Sequence, residues 1–317
     1  MEDKTKIAKG ILLSLIPLFV FSCFVFVTGF YFSEFSTAID GNSTLAALTI
    51  QGRGDAGITG QANEKEYSDT GEEMTQSQGV SEKELELKSA FSIKIKQGLQ
   101  SEILFEKASD VKLPIASLTK LMSAVICLQN YDLQQKVLVS KEADSMPPMH
   151  TDIKEGQTYS VGELLNIMLV ESSNKAVYAL SEIMGPDEFV LAMNDKATEL
   201  GLKNSFFADP TGLSQSNIST AQDLALLAEY IINNFPEISQ MTTKRTYSLP
   251  DLGEISNTNK MLDELYNVAL SKTGFTNYAN GCLLMALATP DGGYNINVVL
   301  GADDRFLEME KIINSQQ

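Results

Sequence analysis

Leu113-Pro114-Ile115-Ala116-Ser117-Leu118-Thr119-Lys120-Leu121-Met122 opens an apolar helical run that continues through Val125 and Ile126. If the helix begins near Ser117, its hydroxyl and the amine of Lys120 lie three residues apart on one face, within reach of each other. The positive end of the helix dipole falls at the same place and favours a neutral amine and a developing alkoxide. A lysine desolvated beside a second cation can act as a free base near neutral pH and activate a serine. Taken alone, Ser-x-x-Lys fits equally well an ordinary helix start with a serine cap and a solvated lysine. The rest of the chain has to decide.

Composition narrows the choice. The 317 residues are 44% hydrophobic and 21% charged, an ordinary globular mixture with room for a sizeable core. The formal charge is −17, which repels phosphate backbones and speaks against nucleic acid as a partner. His150 is the one histidine, so sites needing several imidazoles, most catalytic zinc centres among them, are excluded within one chain. A Ser-His-Asp triad would have to be built on His150. Cys23, Cys127 and Cys282 are odd in number and far apart, which offers neither a disulfide framework nor a Cys-x-x-Cys site. A hydrolase made from these residues needs a base other than histidine.

Two further segments carry the matching chemistry. Glu171-Ser172-Ser173-Asn174 follows a periodic helix ending near Val170, where a serine hydroxyl can pass protons and an amide two residues on can orient a lysine or a substrate carbonyl. Ser271-Lys272-Thr273-Gly274 follows the apolar Val268, Ala269 and Leu270. A strand edge ending in glycine leaves room for an extended peptide to pair alongside it. Lys272 and Thr273 would hold a terminal carboxylate, and a backbone N–H just beyond Gly274 would help form an oxyanion hole. Each segment also reads blandly, the first as a polar loop between helices and the second as a strand end with a turn glycine. Their order along one chain, 55 residues apart (117 to 172) and then 100 (172 to 272), is far more specific.

The N-terminal part is organised differently. Residues 11–32 hold no charged side chain; about 22 helical residues span roughly 33 Å, which matches a hydrocarbon core of about 30 Å. Lys4, Lys6 and Lys9 precede this stretch, and Glu34 and Asp40 follow it, so the positive-inside rule puts residues 1–10 in the cytoplasm and everything after Phe32 outside. An uncleaved single-pass membrane anchor is the preferred reading. Cleavage after Ser36-Thr37-Ala38 competes with it, and a lipoprotein signal ending at Cys23 fits poorly beside Phe21 and Phe24. All three export the remainder. Residues 33–86 hold one aromatic past Phe35, Tyr67, and are dominated by polar and acidic residues, which predicts a flexible, disordered acidic linker. Arg53-Gly54-Asp55 within it is a chance adhesion tripeptide.

From 87 to 317 the pattern is that of one folded body. Phe91, Ile93 and Ile95 alternate with Ser92, Lys94 and Lys96, predicting a half-buried strand, with Gln97-Gly98 turning it toward a second near Ile103–Phe105. Helical spacing recurs in Val161–Leu169, in Phe189–Leu200 ahead of Gly201, and in Leu224–Ile232 with Ser219 and Gln222 as a candidate capping box. Leu283–Ala288 and Ile296–Leu300 flank Pro290-Asp291-Gly292-Gly293, a strong hairpin signal, and Arg305–Ile313 reads as a closing helix. Strands, then helices, then strands predict an α+β body with a mostly antiparallel sheet. Asp303 and Asp304 read as helix capping rather than a cation site, His150 as an exposed loop residue, and Cys127 and Cys282 as small buried apolar residues.

The three segments in this order resemble the motif set of low-molecular-mass penicillin-binding proteins, the serine-type D-alanyl-D-alanine carboxypeptidases. The resemblance covers roughly residues 87 to 313 and extends to Met193–Gly201, Asp209-Pro210-Thr211-Gly212-Leu213, Asn257-Thr258-Asn259-Lys260 and Val299-Leu300-Gly301. It implies a β-lactamase/transpeptidase-like fold, a helical subdomain beside an antiparallel sheet, and a reaction with no metal and no cofactor. Ser117 is then the acylated nucleophile and Lys120 its general base. Ser172 and Asn174 complete the proton network, Lys272, Thr273 and Gly274 line the substrate edge, and the N–H groups of Ser117 and Phe275 form the oxyanion hole. The implied substrates are peptidoglycan stem peptides, with β-lactams as covalent inhibitors and the catalytic domain held outside the cell membrane by residues 11–32. Leu270 stands where the family often has glycine, and few residues follow Gly301 for the C-terminal β-domain of many members. A D,D-endopeptidase uses the same residues; a class A-like β-lactamase or a non-catalytic wall-binding module fits less well.

Overall fold

Cys282, Leu284 and Ala286 are buried on one face of a strand and Leu283, Met285 and Leu287 on the other. A strand apolar on both faces must be covered on both. The computed structural model, which describes residues 81–316 apart from Gln97 and Thr151, provides those two covers. In chain order the elements are β1 (Ser89–Ile95), β2 (Glu102–Lys107), β3 (Leu113–Pro114), α1 (Thr119–Asn130), β4 (Lys136–Leu138), α2 (Lys141–Ser145), β5 (Thr158–Ser160), α3 (Val161–Val170), α4 (Asn174–Ser181) and α5 (Pro186–Glu199). They continue with β6 (Ile218–Ser219), α6 (Ala221–Asn234), α7 (Pro236–Thr242), β7 (Thr246–Leu249), β8 (Gly253–Ser256), β9 (Val268–Thr276), β10 (Asn280–Ala288), β11 (Tyr294–Ala302) and α8 (Arg305–Asn314).

Five strands form one antiparallel sheet in the order β2-β1-β11-β10-β9. The expected hairpin joins β10 to β11, closed by Thr289 N–H donating to the Gly293 carbonyl at 2.9 Å, with Gly292 at φ +83°. On one face Met309, Ile312 and Ile313 of α8 cover Leu283, Met285 and Val299. On the other, the helical residues 116–242 pack against Leu270, Leu284 and Val298. The middle of the described region therefore sits over one face of a sheet built from that region's two ends.

Several expectations shift by small amounts, each for a local reason. β1 is not half-buried: Ser92 is fully buried beneath the end of α8, where it donates to Asn297 Oδ1 at 2.6 Å and accepts from Gln316 Nε2 at 2.8 Å. The α6 cap is Thr220, which accepts from Asp223 N–H at 3.1 Å. Ser219 pairs instead with Ser205, and the Gln222 side chain donates to Ser109. Packing also begins upstream of 87, since Leu85 is buried in the cluster under α8 and Glu86 N–H donates to Glu308 Oε2 at 3.0 Å. The last residues assigned to the linker thus belong to the body. The expected tail 1–10, the anchor 11–32 and the linker up to residue 80 lie outside the described residues. Among the described residues no helix is long and apolar enough to cross a membrane.

Asp304 caps α8 as the sequence suggests, accepting from the N–H groups of Phe306 (2.9 Å) and Leu307 (3.2 Å). Asp304→Ala leaves those donors unpaired and is expected to cost about 1 kcal/mol, read as a lowered urea midpoint with an unchanged slope.

Candidate active site

Ser117 does not open a regular helix. It sits in a single 3-10 turn, Ala116–Leu118, immediately before α1, and Ala116 enters that turn at φ +48°. Thr119 Oγ1 donates back to the Ala116 carbonyl at 2.8 Å and closes the turn. The geometry inferred from the three-residue spacing nevertheless holds: Lys120 Nζ lies 2.9 Å from Ser117 Oγ. Lys120 is fully buried, and burial pulls its pKa down to about 7, with the Asp209 carboxylate acting in the opposite direction.

The other two neighbours of that nitrogen decide what it can do. Asn174 Oδ1 lies at 2.9 Å and the Thr211 carbonyl oxygen at 2.6 Å. A neutral amine has two hydrogens and one lone pair. With both hydrogens donated to these two acceptors, the lone pair is left for the Ser117 hydroxyl. Asn174 is held in the right sense because its own Nδ2 donates to the Pro147 carbonyl at 3.1 Å, leaving Oδ1 for the lysine.

Ser172 comes from the turn between α3 and α4, where it takes φ +70°, and Asn174 opens α4. Lys272 Nζ donates to Ser172 Oγ at 2.9 Å and to the Thr273 carbonyl at 3.0 Å. Accepting from Lys272 leaves the Ser172 hydroxyl with its own hydrogen to give. Lys272 is also buried, and its pKa falls well below the ordinary lysine range through desolvation, then through the charges of Lys120 and Arg305. The second amine that the sequence reading called for is therefore beside the first, and burial and mutual repulsion disfavour charge on it.

Lys272, Thr273 and Gly274 lie on β9, the end strand of the sheet. Thr273 Oγ1 is 2.5 Å from Thr258 Oγ1, and Thr258 N–H is tied to the Val170 carbonyl at the end of α3 at 3.1 Å. Gly274 has a reason beyond leaving room for a peptide. A Cβ there would stand 3.0 Å from the Ile115 carbonyl oxygen and 3.1 Å from Ser117 N, so glycine lets the turn bearing Ser117 lie against the strand. Phe275 follows it with 59% of its surface exposed, and the strand that carries its N–H runs beside Ser117 N. All eight residues singled out from sequence, Ser117, Lys120, Ser172, Asn174, Lys272, Thr273, Gly274 and Phe275, thus belong to one neighbourhood.

His150 is exposed and shares a cavity of about 300 Å³ with residues 252–256 around β8, apart from the lysines. Cys127 and Cys282 are buried, and burial pushes both thiols up, Cys282 to about 11. Sequence reasoning missed the Thr211 carbonyl, because a backbone oxygen has no signature. Asp209-Pro210-Thr211-Gly212-Leu213 did mark the turn that carries it. Arg305 was missed too; its charge reaches Lys272, and its Nε is buried without a hydrogen-bond partner.

The family profile described as D-alanyl-D-alanine carboxypeptidase, peptidase S11, matches residues 76–304. The chain belongs to this family. As a D-alanyl-D-alanine carboxypeptidase family member it is a serine peptidase. It is 35% identical over 216 residues to a D-alanyl-D-alanine endopeptidase of Pseudomonas aeruginosa, covering 65% of this chain and 69% of that one. It is 33% identical over 229 residues to the D-alanyl-D-alanine carboxypeptidase DacF of Bacillus subtilis, covering 68% and 58%. The shared region is about three fifths of the length of several curated relatives. The crystal structure of penicillin-binding protein D2 of Listeria monocytogenes in its cefotaxime-bound form superposes with a TM-score of 0.66 at 29% identity, covering 73% of this chain and 97% of that one. The α+β body thus has the fold of penicillin-binding proteins.

Proposed function

We propose that the protein removes the terminal D-alanine from peptidoglycan stem peptides through an acyl-enzyme on Ser117, outside the cell and tethered to the membrane by residues 11–32. The observation that carries this reading is the buried Lys120 nitrogen 2.9 Å from Ser117 Oγ, with its proton affinity brought down to about pH 7. Lys120 takes the hydroxyl proton as Ser117 Oγ attacks the carbonyl carbon of the penultimate D-alanine. The N–H groups of Ser117 and Phe275 receive the developing oxyanion. Collapse breaks the C–N bond. The proton held by Lys120, relayed with Ser172, passes to the leaving nitrogen, and D-alanine departs. Water then adds to the ester, gives its proton to the same network and releases the shortened peptide. Lys272 and Thr273, on an unpaired strand edge, supply side-chain donors and main-chain partners for the substrate's carboxylate end.

A D,D-endopeptidase reading has specific support, because the Pseudomonas aeruginosa relative carries that name. The same acyl transfer then cuts a D-alanyl crosslink. Intact mass of the protein incubated with benzylpenicillin, beside Ser117→Ala, tests the shared core of both readings. One drug molecule is expected on the parent and none on the variant; an unmodified parent that is folded and does not consume the drug refutes both. Release of free D-alanine from a monomeric pentapeptide, compared with cleavage of a crosslinked dimer, then separates them.

A further inference from the structure

The turn 209–214 touches the reactive lysine without supplying any side chain to it. We propose that Asp209 is a positioning residue for the reaction at Ser117: its carboxylate folds this turn so that the Thr211 carbonyl takes one hydrogen of Lys120 and the amine's lone pair is aimed at the serine. The inference rests on the acyl-enzyme reading above.

The carboxylate is the organising centre of the turn. Asp209 Oδ1 accepts from Thr211 N–H (2.7 Å), Thr211 Oγ1 (2.5 Å) and Gly212 N–H (2.9 Å). Asp209 Oδ2 accepts from Ser214 N–H (2.8 Å) and Asn217 Nδ2 (2.6 Å). Five donors on one partly buried carboxylate leave the peptide plane after Thr211 little freedom. The turn is also fastened to the nucleophile's side of the site. Ser123 Oγ, one helical turn beyond Lys120, donates to the Pro210 carbonyl at 2.7 Å, so two successive carbonyls are taken by α1. The Asn217 carbonyl accepts from Ile115 N–H at 3.1 Å, two residues before Ser117. One residue therefore sets the relative placement of the base's acceptor and the segment bearing the nucleophile.

Asp209 also acts through its charge. The charge that acts on Lys120 is Asp209, and Lys120 in turn disfavours charge on Lys272 of β9; Glu171 and Lys175 flank Ser172 and Asn174 in the chain, and Lys175 is committed to Asp144 and Asp152. The Asp209 carboxylate raises the lysine's proton affinity against the larger effect of burial. Position and charge make different marks on the rate, and the two can be read apart.

The test is the acylation rate of the full chain by a chromogenic cephalosporin, followed through neutral pH for the parent, Asp209→Asn, Asp209→Ala and Thr211→Val, with thermal unfolding in parallel. Asp209→Asn keeps an oxygen for the three donors at Oδ1 but removes the charge, so the acid limb of its profile is expected at lower pH than the parent's. Asp209→Ala also frees the carbonyl, and its plateau is expected to fall on the order of 100-fold. Thr211→Val removes one donor and leaves the charge, so a smaller plateau loss with an unmoved limb is expected. A residue that only stabilised the fold would lower melting temperatures while each folded molecule kept the parent's limb and plateau, and that result overturns the inference. Failure of the parent itself to acylate removes the acyl-enzyme reading and this inference with it.

Discussion

Lys120→Met is expected to slow acylation of Ser117 by roughly 10²- to 10⁴-fold while leaving the protein folded. Methionine keeps the length and apolar body of the side chain, so the buried space under Ser117 stays filled, but nothing remains to take the hydroxyl proton. The parent's own pH dependence follows from the same group. With its pKa at about 7, the amine is protonated below that value and has no lone pair, so acylation rises through pH 7 and levels off above it. Folding responds with a related sign. The lysine's proton affinity is lower folded than unfolded, so the unfolded chain holds more protons between about 7 and the ordinary value of 10.5. This group's contribution to stability therefore rises with pH across that window, and its cost is greatest below it. Lys120→Met removes the cost, and its stability gain over the parent is expected to be largest on the acid side of pH 7. A stopped-flow acylation series with matched urea titrations checks both. A parent rate that is flat through pH 7 would exclude Lys120 as the base.

Gly212→Ala is expected to be the most damaging small substitution in the body. Gly212 has φ +85°, and a Cβ there would stand 2.1 Å from the Ala116 carbonyl oxygen and 2.5 Å from its carbon. No side chain moves aside in that contact, because both neighbours are backbone. Either the turn 209–214 retreats, taking the Thr211 carbonyl off Lys120, or the turn bearing Ser117 shifts. Left-handed strain and overpacking together suggest about 2–5 kcal/mol of destabilisation, with acylation lost beyond the unfolded fraction. Denaturation midpoints and acylation per folded molecule would show it. A variant of parental stability and rate would mean that the two turns do not approach so closely.

The parts legible in sequence were those with local causes. The hairpin at Pro290–Gly293 and the helices around Val161–Leu169 and Phe189–Leu200 follow from spacing and turn residues a few positions apart. Ser117 and Lys120 meet because three residues of helical or 3-10 chain bring them together either way. What escaped depends on partners distant in the chain. Ser92 looks solvent-facing until Gln316, 224 residues on, is placed over it. Thr220 displaces Ser219 as a cap because Ser219 is already occupied by Ser205. Pro147 and Thr211 contribute backbone oxygens, whose identity no side-chain pattern records. The need for glycine at 274 was legible as a strand end, whereas its closer cause, the approach of Ser117 N, required the three-dimensional arrangement.

The position of β9 at the end of the sheet has a cost for the protein's life in a crowded solution. An unpaired strand edge is a template for any extended chain, whether substrate or a neighbouring copy of the same protein. At the opposite end of the sheet β2 is blunted by Glu102, Glu106 and Lys107, which discourage another strand from docking. On the proposed reaction β9 cannot be protected in that way, because its edge has to admit the substrate. Its guards are of another kind: the buried polar amine of Lys272, which penalises an apolar intruder, and the turn of Ser117 lying across Gly274, which admits only a narrow backbone. On the proposed reaction, a peptide or β-lactam seated along this edge would also cover a surface open to strand pairing.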